Sequence, residues 1–392
     1  MNILSFADTR FPIERANGVQ TMHTCHALAA RGHALTLLVR PDTTVPARDP
    51  FAFYGLPPCA HLTIEPITTS GAAPLRRAQM LWTGVRRALS GSVDVVFTRD
   101  LGLASLLARL PASRRPALVY ESHGIAPIVA EEMPRLLGKP DQAPSSSKVR
   151  RLDRRESLVW RTADAYVTIT QALATDLAAR YGHRDAVFVV PDGAVASPVS
   201  TRDWVPGPLC VGYAGHLYPW KGIDIFLHAL AQTPDVRGVI VGGHPGEADL
   251  GRIQRLLQNL HLTERVTMTG LLAPHAVAHA LDEADVLVLP NTHSAISDRY
   301  TSPLKLFEYL TRGKAIVASD LPSLREVLTH EHTALLVPAG DADALAAALG
   351  RLQADPQLRH RLGAAARALA PDFTWERRAE RLELALTAAV RA

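Results

Sequence analysis

The chain has 392 residues, 47% of them apolar and 20% charged, with 42 Lys+Arg against 38 Asp+Glu. At about 100–200 residues per domain this length predicts two domains, each able to bury its own core, and excludes a small stapled module. Cys25, Cys59 and Cys210 are too few and too scattered for a disulfide framework or a Cys-rich zinc site, which points to a reducing compartment.

The first eight residues become charged before a signal-peptide apolar region develops, and no stretch approaches the ~20 apolar residues of a spanning helix, so a cytoplasmic protein is expected. Residues 3–7 read as a strand and 8–20 as a long loop with Gly18 as its turn residue. Residues 21–31 then read as a helix closed by Gly32, and 34–39 as the next strand. Further strands are expected at 93–98, 117–121, 165–169 and 187–190, with helical segments between them, until Pro191-Asp192-Gly193 ends the series. Residues 196–208, with three prolines, read as a linker. The grammar then restarts: strand 209–214, a loop through Gly222, a helix over 223–231, and strands at 238–242, 266–269, 286–289, 315–318 and 334–337. Such alternation predicts two α/β domains in series, each a parallel sheet covered on both faces. Ligands then belong in the loops that follow the strands.

Neither half has the three closely spaced glycines of a dinucleotide fingerprint, which disfavours a nicotinamide enzyme. The stretch Gly215-His216-Leu217-Tyr218-Pro219-Trp220-Lys221-Gly222 lies between a strand and a helix. Lys221 is one of only five lysines against 37 arginines. Beside a glycine at a helix start it suits a phosphate oxygen as a compact point charge, the alternative being a solvated surface lysine. Farther on, Ser302 reads as a helix N-cap and Pro303 as the first helical residue, so that Leu304 and Lys305 present free N–H groups to an anion. Glu308, over a turn below, is placed to accept hydrogen bonds from a ribose diol or to be an ordinary helical glutamate. Asp341-Ala342-Asp343 reads as a helix cap rather than a metal site, and His275 with His279 as a solvated or packed pair.

Taken together, the Gly18 loop, Tyr120-Glu121-Ser122-His123-Gly124, Val190-Pro191-Asp192-Gly193, Gly215…Lys221-Gly222, Ser302-Pro303-Leu304-Lys305…Glu308 and Ile316-Val317-Ala318-Ser319-Asp320 resemble glycosyltransferase family 4, most specifically over residues 301–322. The resemblance implies the GT-B fold: two Rossmann-like domains with parallel sheets facing a central cleft. Residues 1–197 would bind the acceptor, 198–371 the nucleotide-sugar, and 372–392 would form a C-terminal helix packing back on the N-terminal domain. It further implies retaining transfer of a hexose-type sugar from a UDP- or GDP-sugar to a hydroxyl of a glycan, glycolipid or small-molecule acceptor. The nucleotide-sugar would be a co-substrate, with no metal or other cofactor.

Carried over position by position, Lys221 neutralises the donor diphosphate, Glu308 binds the ribose hydroxyls, the Gly18 backbone approaches a phosphate, and His123 stands near the reacting sugar. Ser302, Pro303, Leu304 and Lys305 form the diphosphate and sugar cradle. Gly242, Gly243 and residues 268–271, Met268 among them, surround the nucleobase. His123, Lys221 and Glu308 are thus the expected catalytic set, with His123 open as a base, a hydrogen-bond donor to the sugar, or a satisfied loop histidine.

Two positions depart from the family pattern. The family often shows two glutamates separated by seven residues, whereas eight positions before Glu308 stands Tyr300, with Asp298 two residues earlier. His216 stands where many members have arginine, which leaves the phosphate charge to Lys221, helix dipoles and Arg299.

Residues 1–200 hold 23 Lys+Arg against 17 Asp+Glu. The pairs Arg76-Arg77, Arg86-Arg87 and Arg114-Arg115, with the run from Lys148 to Arg155, suit anionic lipid headgroups at the inner face of the plasma membrane, or form a solvated arginine-rich face. Nucleic-acid binding is disfavoured because aromatics are only 6% of the chain and do not interleave with the arginines. Two rival functions stand beside transfer: a sugar-nucleotide epimerase or hydrolase on the same fold, and a non-catalytic sugar-nucleotide-binding partner subunit.

Overall fold

A computed structural model of the chain describes residues 1–196, 207–243, 246, 249–272 and 274–391. Most of the expected linker at 196–208 therefore lies outside the described residues. Chain contacts divide the protein into two units, one of Met1–Glu131, Pro144–Asp192 and Trp375–Ala392, the other of Glu132–Ala143 and Gly193–Thr374.

In the first unit the chain runs β1 (Asn2–Arg10), α1 (Ala16–Ala30), β2 (Ala34–Arg40), α2 (Pro50–Tyr54), β3 (Leu62–Pro66), α3 (Ala73–Ala88), β4 (Val95–Thr98) and α4 (Leu101–Leu107). It continues through β5 (Ala117–Ser122), α5 (Ala126–Leu136), α6 (Ser146–Thr162), β6 (Ala165–Thr168), α7 (Gln171–Tyr181) and β7 (Val187–Val189). The strands pair in the order β3-β2-β1-β4-β5-β6-β7, every pair parallel. The central strands are buried on both faces, as Val95, Val96, Leu118, Val119, Tyr166 and Val167 show, which explains why they read as continuous apolar runs instead of alternating ones.

In the second unit the order is β8 (Leu209–Ala214), α8 (Ile223–Ala231), β9 (Val236–Val241), α9 (Asp249–Asn259), β10 (Val266–Gly270), α10 (Pro274–Asp282) and β11 (Val286–Leu289). Then come α11 (Ala295–Arg299), α12 (Leu304–Arg312), β12 (Ala315–Ser319), α13 (Pro322–Arg325), β13 (Leu335–Val337), α14 (Ala342–Ala354) and α15 (Pro356–Leu369). Its parallel sheet has the order β10-β9-β8-β11-β12-β13. One core packs Val211, Phe226, Leu227, Ile240 and Val288 on one side of the sheet, and another packs Leu287, Phe307, Leu310 and Ile316 on the other.

A final helix, α16 (Trp375–Arg391), packs on α1 and along β4 to β7, so the C-terminal helix returns to the first unit as the fold class requires. Its buried residues Trp375, Arg378, Ala379, Leu382, Ala385, Leu386 and Ala389 form one stripe at helical spacing.

Three local expectations need correction. The loop expected over 8–20 is shorter, because β1 extends to Arg10 and α1 begins at Ala16; Gly18 sits in the first helical turn and is no loop turn residue. A Cβ there would lie 2.5 Å from both the Ile13 side chain and the Tyr54 hydroxyl, so glycine is needed for close packing. Ser302 is not the N-cap of α12. Pro303 is, with φ −77° and ψ 121°, and helical dihedrals begin only at Leu304. β3 was not anticipated, since Leu62-Thr63-Ile64-Glu65-Pro66 is a short, half-polar strand on the sheet edge, where proline is tolerated.

Candidate functional site

Strand order reverses beside β8 and β11, which makes the loops after these two strands the switch point of the second sheet, where open α/β sheets take ligands. The loops pack backbone to backbone. Gly222, at φ +73°, would place a Cβ 1.6 Å from the Pro290 carbonyl oxygen, and the Thr292 amide donates to the Trp220 carbonyl at 3.0 Å. On the other flank a Cβ on Gly242 would lie 1.9 Å from the Gly215 carbonyl oxygen.

The first of these loops is held rigid from within. The rings of His216, Tyr218 and Trp220 stack in series, with centroids 4.9 Å and 4.6 Å apart, and the Tyr213 hydroxyl donates to the His216 carbonyl at 2.6 Å. Lys221 closes a single 3₁₀ turn after this stack. Burial lowers its ammonium to about 8, and no carboxylate among the described residues pairs with it. A half-buried cation of this kind is poised for an anion.

The second loop carries α11, with Arg299 in its last turn and Tyr300 buried at its C-cap, and leads through buried Ser302 into α12. By position the Leu304 and Lys305 amides belong to the first turn of α12 and have no carbonyl one turn back within the helix. On the same helix the Lys305 ammonium bridges to Glu308 at 2.8 Å, both half-buried. Asp298 accepts from His293 at 3.1 Å. After β9 and β10, Gly243 and Met268 meet: a Cβ on Gly243 would be 3.7 Å from the Met268 methyl.

The second unit thus brings His216, Lys221, Arg299, Tyr300, Ser302, Pro303, Leu304, Lys305 and Glu308 onto the switch-point loops and the helix that follows. Gly18 and His123 belong to the other unit. Asp341 accepts from the Ala344 amide as the cap of α14, and Asp343 accepts from Gln232. His279 is exposed on α10, while the side chain of His275 lies outside the described ones.

In the first unit, His123 follows β5 and is embedded in a buried charge network. Its Nε2 bonds Oε1 of Glu121, which also accepts from Gln20 at 2.7 Å, while Oε2 accepts from Arg378 at 2.6 Å. Arg99 donates to Gln20 at 2.6 Å, and Asp192 lies 3.6 Å from Arg378. Burial alone would push the Glu121 carboxyl up; Arg378, then His123 and Arg99, reverse this and hold it well below the usual carboxylate range. His123 is lowered to about 4 by burial and by Arg99 against the pull of Glu121, so its imidazole is neutral at pH 7. Asp192 is raised to about 6 by burial. Sequence reasoning singled out His123 and quoted Glu121 in the same motif without a role, but missed Gln20, Arg99 and Arg378. The available signal was a glutamate inside the buried run of β5 and an arginine in the apolar stripe of α16.

Several of the paired arginines are used internally: Arg77 with Asp8 and Asp100, Arg87 with Glu65, Arg115 with Asp164. Arg86 on α3 and Arg150, Arg151 and Arg154 on α6 are exposed. Among the described residues no helix is long and apolar enough to cross a membrane, and no group of three or more His, Cys, Asp or Glu side chains is placed to hold a metal ion.

Two family models match the chain: a glycosyl transferase 4-like domain over residues 17–193 and glycosyl transferases group 1 over residues 202–369. A D-inositol 3-phosphate glycosyltransferase of Nocardia farcinica is 28% identical over 254 residues, 60% of this chain and 55% of that protein. The chain spans about half the length of the curated relatives it matches. The solved structure of sucrose-phosphate synthase from Thermosynechococcus elongatus superposes with a TM-score of 0.74 at 20% identity, covering 98% of both chains. Anabaena HepE in complex with UDP-glucose gives a TM-score of 0.72 at 20% identity, covering 99% of this chain and 100% of the other. These two likenesses carry the fold, and the family models carry the kinship: the chain belongs to the group 1 glycosyltransferases of family 4, built on the GT-B fold.

Proposed function

We propose that the protein is a retaining glycosyltransferase that moves a hexose-type sugar from a nucleotide-diphospho-sugar to an acceptor hydroxyl. Residues 198–371 hold the donor, and residues 1–197 with the returning helix 372–392 hold the acceptor. The observation that carries this reading is Lys221, a half-buried ammonium with no carboxylate partner among the described residues, fixed at the switch point of the second sheet. Names of similar proteins support the reading: a D-inositol 3-phosphate glycosyltransferase among the relatives supports glycosyl transfer, and a neighbour solved with UDP-glucose supports the donor class.

Transfer breaks the bond between the anomeric carbon and the diphosphate oxygen and forms one to the acceptor oxygen, whose proton is taken up at the site. Negative charge grows on the departing diphosphate. Lys221, the first-turn amides of α12 at Leu304 and Lys305, and Arg299 supply fixed positive charge for it, and preorganised charge of this kind lowers the barrier because nothing has to reorient as the leaving group departs. Glu308 accepts from the ribose hydroxyls after exchanging its bond to Lys305, which frees that ammonium for the phosphates. Gly243 and Met268 border the base. His123, neutral at pH 7, faces the reacting sugar. The exposed arginines of α6 suit anionic headgroups at the cytoplasmic face of a membrane carrying a glycolipid acceptor.

The test is turnover of UDP- and GDP-sugars with and without a panel of hydroxyl acceptors, followed by mass spectrometry. Glycosylated product that forms only with acceptor supports transfer. Conversion of the donor at full rate without acceptor points to an epimerase or hydrolase, and donor binding without any turnover to a non-catalytic binder.

A further inference from the structure

Arg378 is 1% exposed and Glu121 is fully buried. The guanidinium is held from three directions: Nη1 donates to the Val190 and Pro191 carbonyls at 2.8 and 2.9 Å, Nε to the Thr24 hydroxyl at 2.9 Å, and Nη2 to Glu121 Oε2 at 2.6 Å. This accounts for the Val190-Pro191-Asp192-Gly193 motif, whose carbonyls end β7 against Arg378. The other oxygen of Glu121 receives Gln20 and His123. The Gln20 amide has only one orientation available, because its oxygen accepts from Arg99 and its nitrogen therefore turns to Glu121.

We propose that Arg378, on the C-terminal helix, is a positioning residue for His123: its ion pair keeps Glu121 ionised, which fixes the imidazole with its proton on Nε2 and leaves Nδ1 as a hydrogen-bond acceptor. The argument is one of hydrogen-bond capacity. An ionised carboxylate only accepts, so the His123 nitrogen that meets it must donate, and a neutral imidazole then has its lone pair on the other nitrogen. The charged and titratable groups that face the pair are Arg378 on α16, Arg99 after β4, Tyr120 on β5, Asp192 after β7 and Cys25 on α1. Of these, Arg378 is the one in direct contact with Glu121.

Without Arg378 the buried Glu121 charge is undercompensated and recruits a proton. If the proton settles on the carboxyl, its O–H donates to Nε2 and the ring proton moves to Nδ1. If it settles on the ring, both nitrogens are protonated. Either way Nδ1 ceases to accept, and it can no longer take a hydroxyl proton or a hydrogen bond from a sugar hydroxyl. The inference rests on the reading of His123 as a residue at the reacting sugar.

The test is a long-range proton–nitrogen spectrum of histidine-labelled full-length protein at pH 7, with His123 assigned through its loss in His123→Gln. The wild type is expected to show Nε2 protonated and Nδ1 unprotonated. Arg378→Gln is expected to shift Nδ1 into the protonated range, and Arg378→Lys, which restores a cation beside Glu121, to return it. Should Arg378→Gln not fold, Glu121→Gln combined with Gln20→Leu gives the same reading: with the competing Gln20 donor removed, the new amide oxygen stays with Arg378, its NH₂ donates to Nε2, and the ring proton again moves to Nδ1. A wild-type His123 protonated on Nδ1, or a folded Arg378→Gln or double variant with the wild-type pattern, overturns the proposal. The functional reading fails by a different route, undiminished turnover in His123→Ala, so the two failures are told apart.

Discussion

Lys221 and His123 are both neutral-leaning groups made so by burial, and their chemistry differs in sign. The lysine keeps its proton at pH 7 and loses it as pH rises through about 8. Affinity for a nucleoside diphosphate is therefore predicted to be level from pH 7 to 7.5 and to fall by up to about tenfold per unit above that, read by calorimetry across pH. Lys221→Ala should abolish this slope and cost about 1–3 kcal/mol of binding at pH 7. An affinity unchanged up to pH 9.5 in the wild type contradicts the assignment. His123→Ala is predicted to lower kcat by roughly 10²–10⁴ with donor affinity little changed, if the imidazole takes the acceptor proton. Lys221 and Glu308 stand out in the sequence because residue type and place in the strand-loop-helix grammar coincide, and they lie on the loop after β8 and on α12. The partners of His123 do not stand out, because a hydrogen-bond network among Gln20, Arg99, Glu121 and Arg378 joins positions up to 257 residues apart, as between Glu121 and Arg378, and leaves no local spacing to read.

At the scale of elements, the site of the second unit depends on how closely the loops after β8 and β11 approach. Gly222→Ala must adopt φ +73° and displace the Pro290 carbonyl, so it is predicted to lose at least about 1–3 kcal/mol from backbone strain alone. The expected signature is a lower melting midpoint of the second unit together with lost nucleotide affinity. A variant with both intact shows that the loops do not support the site. The alternation of strands and helices was readable nearly throughout, since runs such as Val286-Leu287-Val288-Leu289 are apolar on both faces and bounded by polar loops. The misreadings lie at element starts. Ser302 spells an N-cap, yet Pro303 keeps an extended ψ and takes that place itself. Gly18 spells a turn, yet close packing against Ile13 and Tyr54 explains it better.

For the whole molecule, the first unit concentrates its titratable burial, with shifts of both signs. Glu156, raised to about 7 by burial, and Asp192, raised to about 6 by burial, take up protons in the native state as pH falls and add stability on acidification. His23 and His123 are both lowered to about 4, mainly by burial. Each takes up a proton on unfolding below its ordinary value of 6.5, so its stabilising contribution is present above that pH and is lost as pH falls toward 4, by up to about 3 kcal/mol each. Glu121, held low by Arg378, loses its contribution in the same direction below its ordinary value of 4.5. These opposed contributions nearly cancel between pH 7.5 and 5, and the loss at Glu121 continues below 4.5, so hydrogen exchange is expected to show protection in β4 to β6 and α16 kept at pH 5 and lost at pH 3.5; protection already lost at pH 5 contradicts this. The two-unit plan was visible in the restart of the pattern at residue 209, while the return of the last helix to the first unit came only from family resemblance. The central claim is the donor site, and a calorimetric titration with UDP, GDP, ADP and their sugar conjugates tests it most directly, comparing wild type with Lys221→Ala and Glu308→Ala. Selective binding of one nucleoside diphosphate, weakened in both folded variants, is predicted; binding of none, or equal binding by all three proteins, contradicts the account.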